Sequence, residues 1–214
     1  MDSKVVGFFG SDSYDLVHFL ARVLQQLGKQ IVIVDRTRDR TMMMTVPTSE
    51  MAGIVDYRGI DFTTEPVDIV HSAYDYIFLY YGFDCPGISD AVEESYFVTD
   101  CQMQSIQKLK MLTLKETQFR ALVIRNSVPE RDILGYVNLE LGHLEFGEQN
   151  VYRLPFNQAD ISAMLAVQYD SVYRFDYVSK PTIDFIVGFC SLDFPEKDVM
   201  AALHTAAKAG GGKK

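Results

Sequence analysis

Apolar positions along the first 36 residues repeat with two different periods. Lys4-Val5-Val6-Gly7-Phe8-Phe9 is a short, nearly unbroken apolar run that ends at Gly10, and Ile31-Val32-Ile33-Val34-Asp35 is a second. Between them Leu16, Leu20, Val23, Leu24 and Leu27 recur at helical spacing, and Gly28 closes the segment. Short continuous apolar runs bounded by turn residues predict strands buried on both faces, and the i, i+4, i+7 spacing predicts an amphipathic helix. The opening is therefore strand, turn, helix, strand.

The same alternation continues. Residues 36–51 are polar and methionine-rich, a loop with a short helix at most, in which Met42-Met43-Met44 serves either as adaptable packing or as a contact surface. Ile54-Val55-Asp56-Tyr57 and Ile60-Asp61-Phe62 predict short strands around Gly59. Tyr76-Ile77-Phe78-Leu79-Tyr80-Tyr81 has the continuous apolar character of a central parallel strand, and Gly82 to Gly87 breaks it. Strands are further expected at 95–99, 119–124 and 150–154. Helices are expected at 102–117 (Ile106, Leu109 and Leu112 inward), at 130–141, after an Asn157 cap through Ala166, and from Pro181 to Cys190. Strands alternating with helices imply right-handed crossovers, so the fold class is α/β: three layers, a mostly parallel central sheet with helices on both faces. We expect one domain over residues 1–194 and, over 195–214, a docked alanine-rich helix with a flexible Gly/Lys tail.

Composition narrows the function. A chain of 214 residues, 48% hydrophobic and 23% charged, fits one globular domain. Its net charge of −9 disfavours nucleic acid, whose binding needs clustered positive charge; Arg36-Thr37-Arg38-Asp39-Arg40 is a local exception. Cys85, Cys101 and Cys190 are widely spaced and offer neither metal-ligand pairs nor a disulfide framework, which suits a reducing cytoplasm. His18, His71, His143 and His204 are scattered, and no metal is expected. No apolar run approaches the ~20 residues needed to cross a bilayer, and no leader is visible ahead of the first strand.

In many α/β proteins the strand–turn–helix frame grips a nucleotide phosphate, yet the gripping residues are missing. A phosphate loop of the form G-x-x-x-x-G-K-[ST] converges backbone N–H groups, a lysine and a metal-binding hydroxyl on phosphate oxygens. Counted from Gly10, the later positions hold Asp15, Leu16 and Val17; counted from Gly7, they hold Asp12, Ser13 and Tyr14. Asp12 and Asp15 stand where a helix N-terminus would receive an anion and would cap it themselves. The turn Gly10, Ser11, Asp12, Ser13, Asp15 thus presents anions and no cation, and binding of a triphosphate there is not expected.

Taken in order, residues 4 to about 190 resemble the MinD/ParA family of ATPases, of the SIMIBI class of P-loop proteins. Lys4 to Asp35 resembles that family's first strand, phosphate loop, helix and second strand. Asp75-Tyr76-Ile77-Phe78-Leu79-Tyr80 resembles the strand whose terminal aspartate helps position metal and water, with Tyr80 in that aspartate's place. Cys85-Pro86-Gly87 resembles the following turn, Phe97-Val98-Thr99 through Lys110 the next strand and helix, and Leu154-Pro155-Phe156 the passage before a later helix. The lysine, the metal-binding hydroxyl and the acidic metal partner are unmatched, and only Asp35 is family-like. The resemblance therefore implies a degenerate, non-catalytic member, a pseudo-ATPase rather than an enzyme. It is similar to the TadZ/CpaE localisation proteins of pilus assembly and secretion, acting as a scaffold through protein contacts and forming a homodimer.

On that reading no cofactor is expected, and the chain is cytoplasmic, without nucleic-acid binding or direct membrane insertion, brought to a membrane by a partner. Asp35, Tyr80 and Asp84 mark the vestigial nucleotide cleft, filled by Tyr80, Tyr81, Phe83 and Asp84. Tyr81, Phe83, Arg36 and Arg38 are candidate partner contacts. Two alternatives remain. One is a Rossmann-type dinucleotide oxidoreductase with Asp35 on the ribose hydroxyl, against which Asp12 and Asp15 hold the later glycine positions of G-x-G-x-x-G. The other is an atypical nucleotide-binding ATPase that borrows positive charge from Lys4, Arg36, Arg38, Arg40 or a partner chain.

Overall fold

The computed structural model describes residues 3–48, 52–66, 73–84, 92–112, 118–128, 133–142 and 146–209. Strands β1 (Lys4–Gly10), β2 (Ile31–Asp35), β3 (Ile54–Tyr57), β4 (Ile60–Thr63), β5 (Tyr76–Gly82), β6 (Glu94–Asp100), β7 (Gln118–Ser127) and β8 (Val151–Pro155) form one eight-stranded sheet in the order β3-β4-β2-β5-β1-β6-β7-β8. Every neighbouring pair is parallel except the hairpin β3–β4. Arg58 and Gly59 close that hairpin with φ of 59° and 78°, the positive values a two-residue turn needs to match strand twist.

Helices α1 (Tyr14–Gln26), α2 (Met103–Lys110), α3 (Leu134–Glu140), α4 (Gln158–Asp170), α5 (Lys180–Cys190) and α6 (Glu196–Ala209) complete the layers. Because successive strand residues point to opposite faces, each apolar run feeds two cores. Val6, Phe8, Phe78, Tyr80 and Tyr96 pack beneath α1, α5 and α6, and Val5, Phe9, Ile77, Leu79, Tyr81 and Phe97 pack beneath α2 and α3. Phe8 lies between Phe78 and Tyr96, ring centres 5.4 and 5.6 Å away. Helix α6 buries Val199, Ala202, Leu203 and Ala206 in the first of these cores.

Several boundaries differ from the expected ones. Of the helix expected over 102–117, the described part runs from Met103 to Lys110 and ends at a Met111 cap, residues 113–117 lying outside the described residues, and β7 extends to Ser127, three residues beyond the apolar run. Helix α4 continues past Ala166 to Asp170, and Asn157 caps it by accepting from Ala159 N at 2.8 Å. The expected features at His71, Cys85-Pro86-Gly87, residues 130–132, His143 and the 210–214 tail lie outside the described residues.

The packing of α5 on β8 depends on one close approach. A Cβ added at Gly188 would stand 2.3 Å from the Tyr152 hydroxyl oxygen. Gly188→Ala is expected to lower the urea midpoint, with a net cost of about 1–2 kcal/mol: overpacking outweighs the helix propensity gained. Adding Tyr152→Phe should recover part of the loss; no recovery in the double variant would refute the contact as the cause.

Candidate functional site: the turn after β1 and its cleft

Strand β1 ends at Gly10, whose φ of +108° turns the chain towards β6. Ser11 N donates to Val98 O at 2.8 Å, and Ser13 N donates to the Tyr80 hydroxyl at 3.3 Å. Two N–H groups of the turn are therefore already engaged by the protein. Helix α1 starts at Tyr14 with Ser13 as N-cap and no side-chain capping bond, so the expected capping by Asp12 and Asp15 does not form.

Asp15 does something else. It is buried, and its carboxylate takes both terminal nitrogens of Arg125 from β7, the Nη2–Oδ2 contact being 2.6 Å. Arg125 Nη1 also donates to the Asp12 carbonyl at 2.7 Å. Burial alone would lower the guanidinium's pKa, but the Asp15 carboxylate overrides it and the net direction is upward, which keeps Arg125 charged. The expectation of a turn with anions and no cation is thus corrected: the cation arrives from the sheet. A bidentate arginine–carboxylate pair is among the strongest and most directional of polar contacts.

Beside this turn a cavity of about 630 Å³ opens across the carboxyl ends of β6, β7 and β8. Its polar wall includes Asp12, Asp100, Lys108, Arg125 and Asn126, and Phe83 and Phe156 contribute apolar surface. Lys108 Nζ lies 5.3 Å from the centre of the Phe83 ring. Asp160, in the same wall, is engaged by the Ser179 and Thr182 hydroxyls at 2.7 and 2.9 Å and so ties α4 to α5.

The residues expected to form the site divide into three groups. Gly10, Ser11, Asp12, Ser13 and Asp15 come together at the turn, with Tyr80 beneath it. Burial pushes the Tyr80 phenol well above its ordinary pKa, so it stays neutral under Ser13 N. Asp35 does not reach the turn; its carboxylate accepts from Thr37 N, Thr37 Oγ1 and Met43 N at 2.9, 2.6 and 2.9 Å, anchoring the loop after β2. Asp84 accepts from Arg38 N at 3.1 Å and joins the same loop to β5.

Other expectations need correction. Tyr80 and Tyr81 are core residues, 1% and 2% exposed, so neither fills the cleft, and it is open. Tyr81 stacks on Phe9 with centres 4.8 Å apart and offers no partner contact. Arg36 is half-buried and Arg38 exposed, and neither lines the cavity. The Rossmann alternative fails on topology, because β5 stands between β1 and β2 whereas a dinucleotide crevice needs those strands adjacent, and because Asp35 is engaged by its own loop. Arg125 is not legible in the sequence because 110 residues separate it from Asp15; the sequence signal is a charged residue directly after the apolar run Ala121-Leu122-Val123-Ile124.

Among the described residues, no cluster of three or more His, Cys, Asp or Glu could hold a metal ion, and no helix is long and apolar enough to cross a membrane. No protein-family model matches the chain, and no curated protein matches it. Solved structures do match. The ParA family ATPase from Chlorobium tepidum TLS superposes with a TM-score of 0.61 at 14% identity, over 86% of this chain and 98% of that one. MinD in the MinC:MinD cell division protein complex of Aquifex aeolicus gives 0.55 at 12% identity, over 99% and 97%. pNOB8 ParA bound to nonspecific DNA gives 0.51 at 10% identity, over 95% and 99%.

The fold is that of the ParA/MinD P-loop NTPases.

This finding overturns the expectation that the protein is not an enzyme. The structures sharing its fold include a ParA family ATPase, so the fold is one that enzymes use. The expected absence of nucleic acid is likewise not retained, since a ParA of this fold was solved on DNA.

Proposed function

We propose that the protein is a ParA/MinD-like localisation factor that works by binding protein partners at the mouth of the carboxyl-end cleft. One observation carries this reading. From the cleft rim, Phe156 (67% exposed) leads into Ile161, Leu165 and Tyr169 (45%, 46% and 81% exposed), which repeat every four residues along the outer face of α4. An i, i+4, i+8 row faces one way on a helix. Helix α4 also buries Ala163, Met164 and Val167 on its inner face, so the outer row is additional to what the core requires. Exposed aromatic and aliphatic surface of this kind marks contact sites. The MinC:MinD complex shows that a protein of this fold engages a protein partner.

The sequence resemblance to TadZ/CpaE proteins makes a pilus-assembly or secretion machine the candidate partner, in the cytoplasm and brought to a membrane by that partner. In the same proposal residues 1–194 form the working domain and 195–214 an appended helix and tail; the burial of Val199 and Ala206 supports a docked helix.

The test is co-purification of the products of neighbouring genes with the full chain. Wild type should retain a partner that the doubly substituted Leu165→Glu/Tyr169→Glu chain loses, while thermal unfolding of the two stays within a few degrees. Equal retention by both, or by neither, would overturn this assignment of the surface.

A further inference from the structure

Arg125 and Asp15 occupy, between them, the place where an anionic ligand would meet the protein. The N-terminus of α1 favours negative charge, and here the Asp15 side chain supplies it from within. Arg125 would be the natural counter-charge for a ligand in the cavity, whose wall it lines, but both its terminal nitrogens are bound to Asp15 and one also to the Asp12 carbonyl. The Asp15 side chain is 9% exposed and the Arg125 side chain 24%, and Arg125 lines the cleft whereas Asp15 does not. Lys108 lines the same cavity and reaches over Phe83, with no carboxylate partner among the described residues, although Asp12 and Asp100 also line that space. Ser11 Oγ, in the turn itself, is buried with no hydrogen-bond partner among the described residues.

We propose that the Arg125–Asp15 pair is an internal plug: Asp15 stands in for a phosphate-bearing ligand, and Arg125, with Lys108, is the group such a ligand would take over. The chemistry is ion exchange. A phosphate oxygen replaces a carboxylate oxygen on the same two nitrogens, with no bond made or broken. A tethered carboxylate competes at high effective concentration, so a free anion binds weakly until that carboxylate is neutralised or drawn aside. Arginine suits the exchange because its planar fork fits carboxylate and phosphate equally well. This inference stands apart from the partner surface on α4, and either can fail without the other.

The experiment is calorimetric titration of inorganic pyrophosphate into the full-length protein at low salt. Asp15→Asn removes the charge and keeps the shape, so it should bind at least tenfold more tightly than wild type. Arg125→Gln added to Asp15→Asn should return the affinity to the wild-type level or below. Asp15→Asn within twofold of wild type, or a gain that survives Arg125→Gln, would overturn the plug. A second measurement needs no variant. The Arg125 guanidinium proton resonances of the wild-type protein should move towards a phosphate-bound position at high pyrophosphate; resonances that do not move while pyrophosphate binds elsewhere would also overturn it.

Discussion

Gly10→Ala should destabilise the protein by about 4 kcal/mol or more, enough to prevent folding if the total lies at the low end of the 5–15 kcal/mol typical of domains. Two costs add. An alanine held at φ +108° sits in backbone space open essentially to glycine alone, at about 1–3 kcal/mol. Its Cβ would also stand 2.0 Å from the backbone carbonyl oxygen of Val98. That oxygen accepts from Ser11 N and belongs to the strand paired with β1, so it cannot yield without breaking the β1–β6 register that seats the turn. Urea unfolding measures the loss. Gly135→Ala is the control: it lies in α3, has no positive φ, and an added Cβ meets nothing within 4 Å. It should leave stability unchanged or raise it by up to about 1 kcal/mol, as alanine does in helices. Similar midpoints for the Gly10 and Gly135 variants would show that the turn after β1 is looser than described.

The second large effect is acid lability caused by His18. This residue is fully buried on α1; its Nδ1 lies 3.2 Å from the Tyr173 hydroxyl and its Nε2 2.8 Å from Thr45 Oγ1. The Thr45 hydroxyl donates to Met42 O at 2.7 Å, so Nε2 carries the proton and donates to Thr45, and Nδ1 accepts from Tyr173. The neutral ring is fully satisfied, and burial pushes its pKa down from 6.5 to about 3. A folded pKa below the unfolded one means that the unfolded chain binds the extra proton first. The stabilisation is complete above the unfolded value near 6.5 and is lost progressively as pH falls towards about 3. At roughly 1.4 kcal/mol per pH unit, the loss should be about 2 kcal/mol by pH 5. His18→Gln should be less stable at neutral pH but lack this component. The decisive quantity is the difference between the two chains in urea midpoint from pH 7.5 to 5. If that difference does not change with pH, His18 is not the titrating group.

Which features were legible in the chain follows from how far apart their determinants lie. The β1–α1–β2 opening, the central run 76–81 and the Asn157 cap are set by residues within a turn or two of one another, and periodicity reports them directly. The shortened helix α2 and the extended β7 were read less well, because a boundary depends on what the flanking residues pack against. Met42 and Met43, read as either packing or contact surface, are fully buried while Met44 is 64% exposed, so three adjacent identical residues divide between both roles. Asp35 illustrates the same limit. Its position at the end of β2 was evident, but its engagement by Thr37 and Met43 depends on the path of a loop with no periodicity to read.

The amino-acid sequence alone determined that this protein is a layered α/β fold with a phosphate-type turn lacking its lysine, because spacing and residue type are local properties. Only the tertiary structure decided the strand order that excludes a dinucleotide crevice, the placing of the Tyr80 hydroxyl under Ser13 N, and the salt bridge from Arg125 to Asp15. Each of these joins residues that are distant along the chain. Short-range pattern can say that two residues are charged or buried; long-range chain path decides whether they meet.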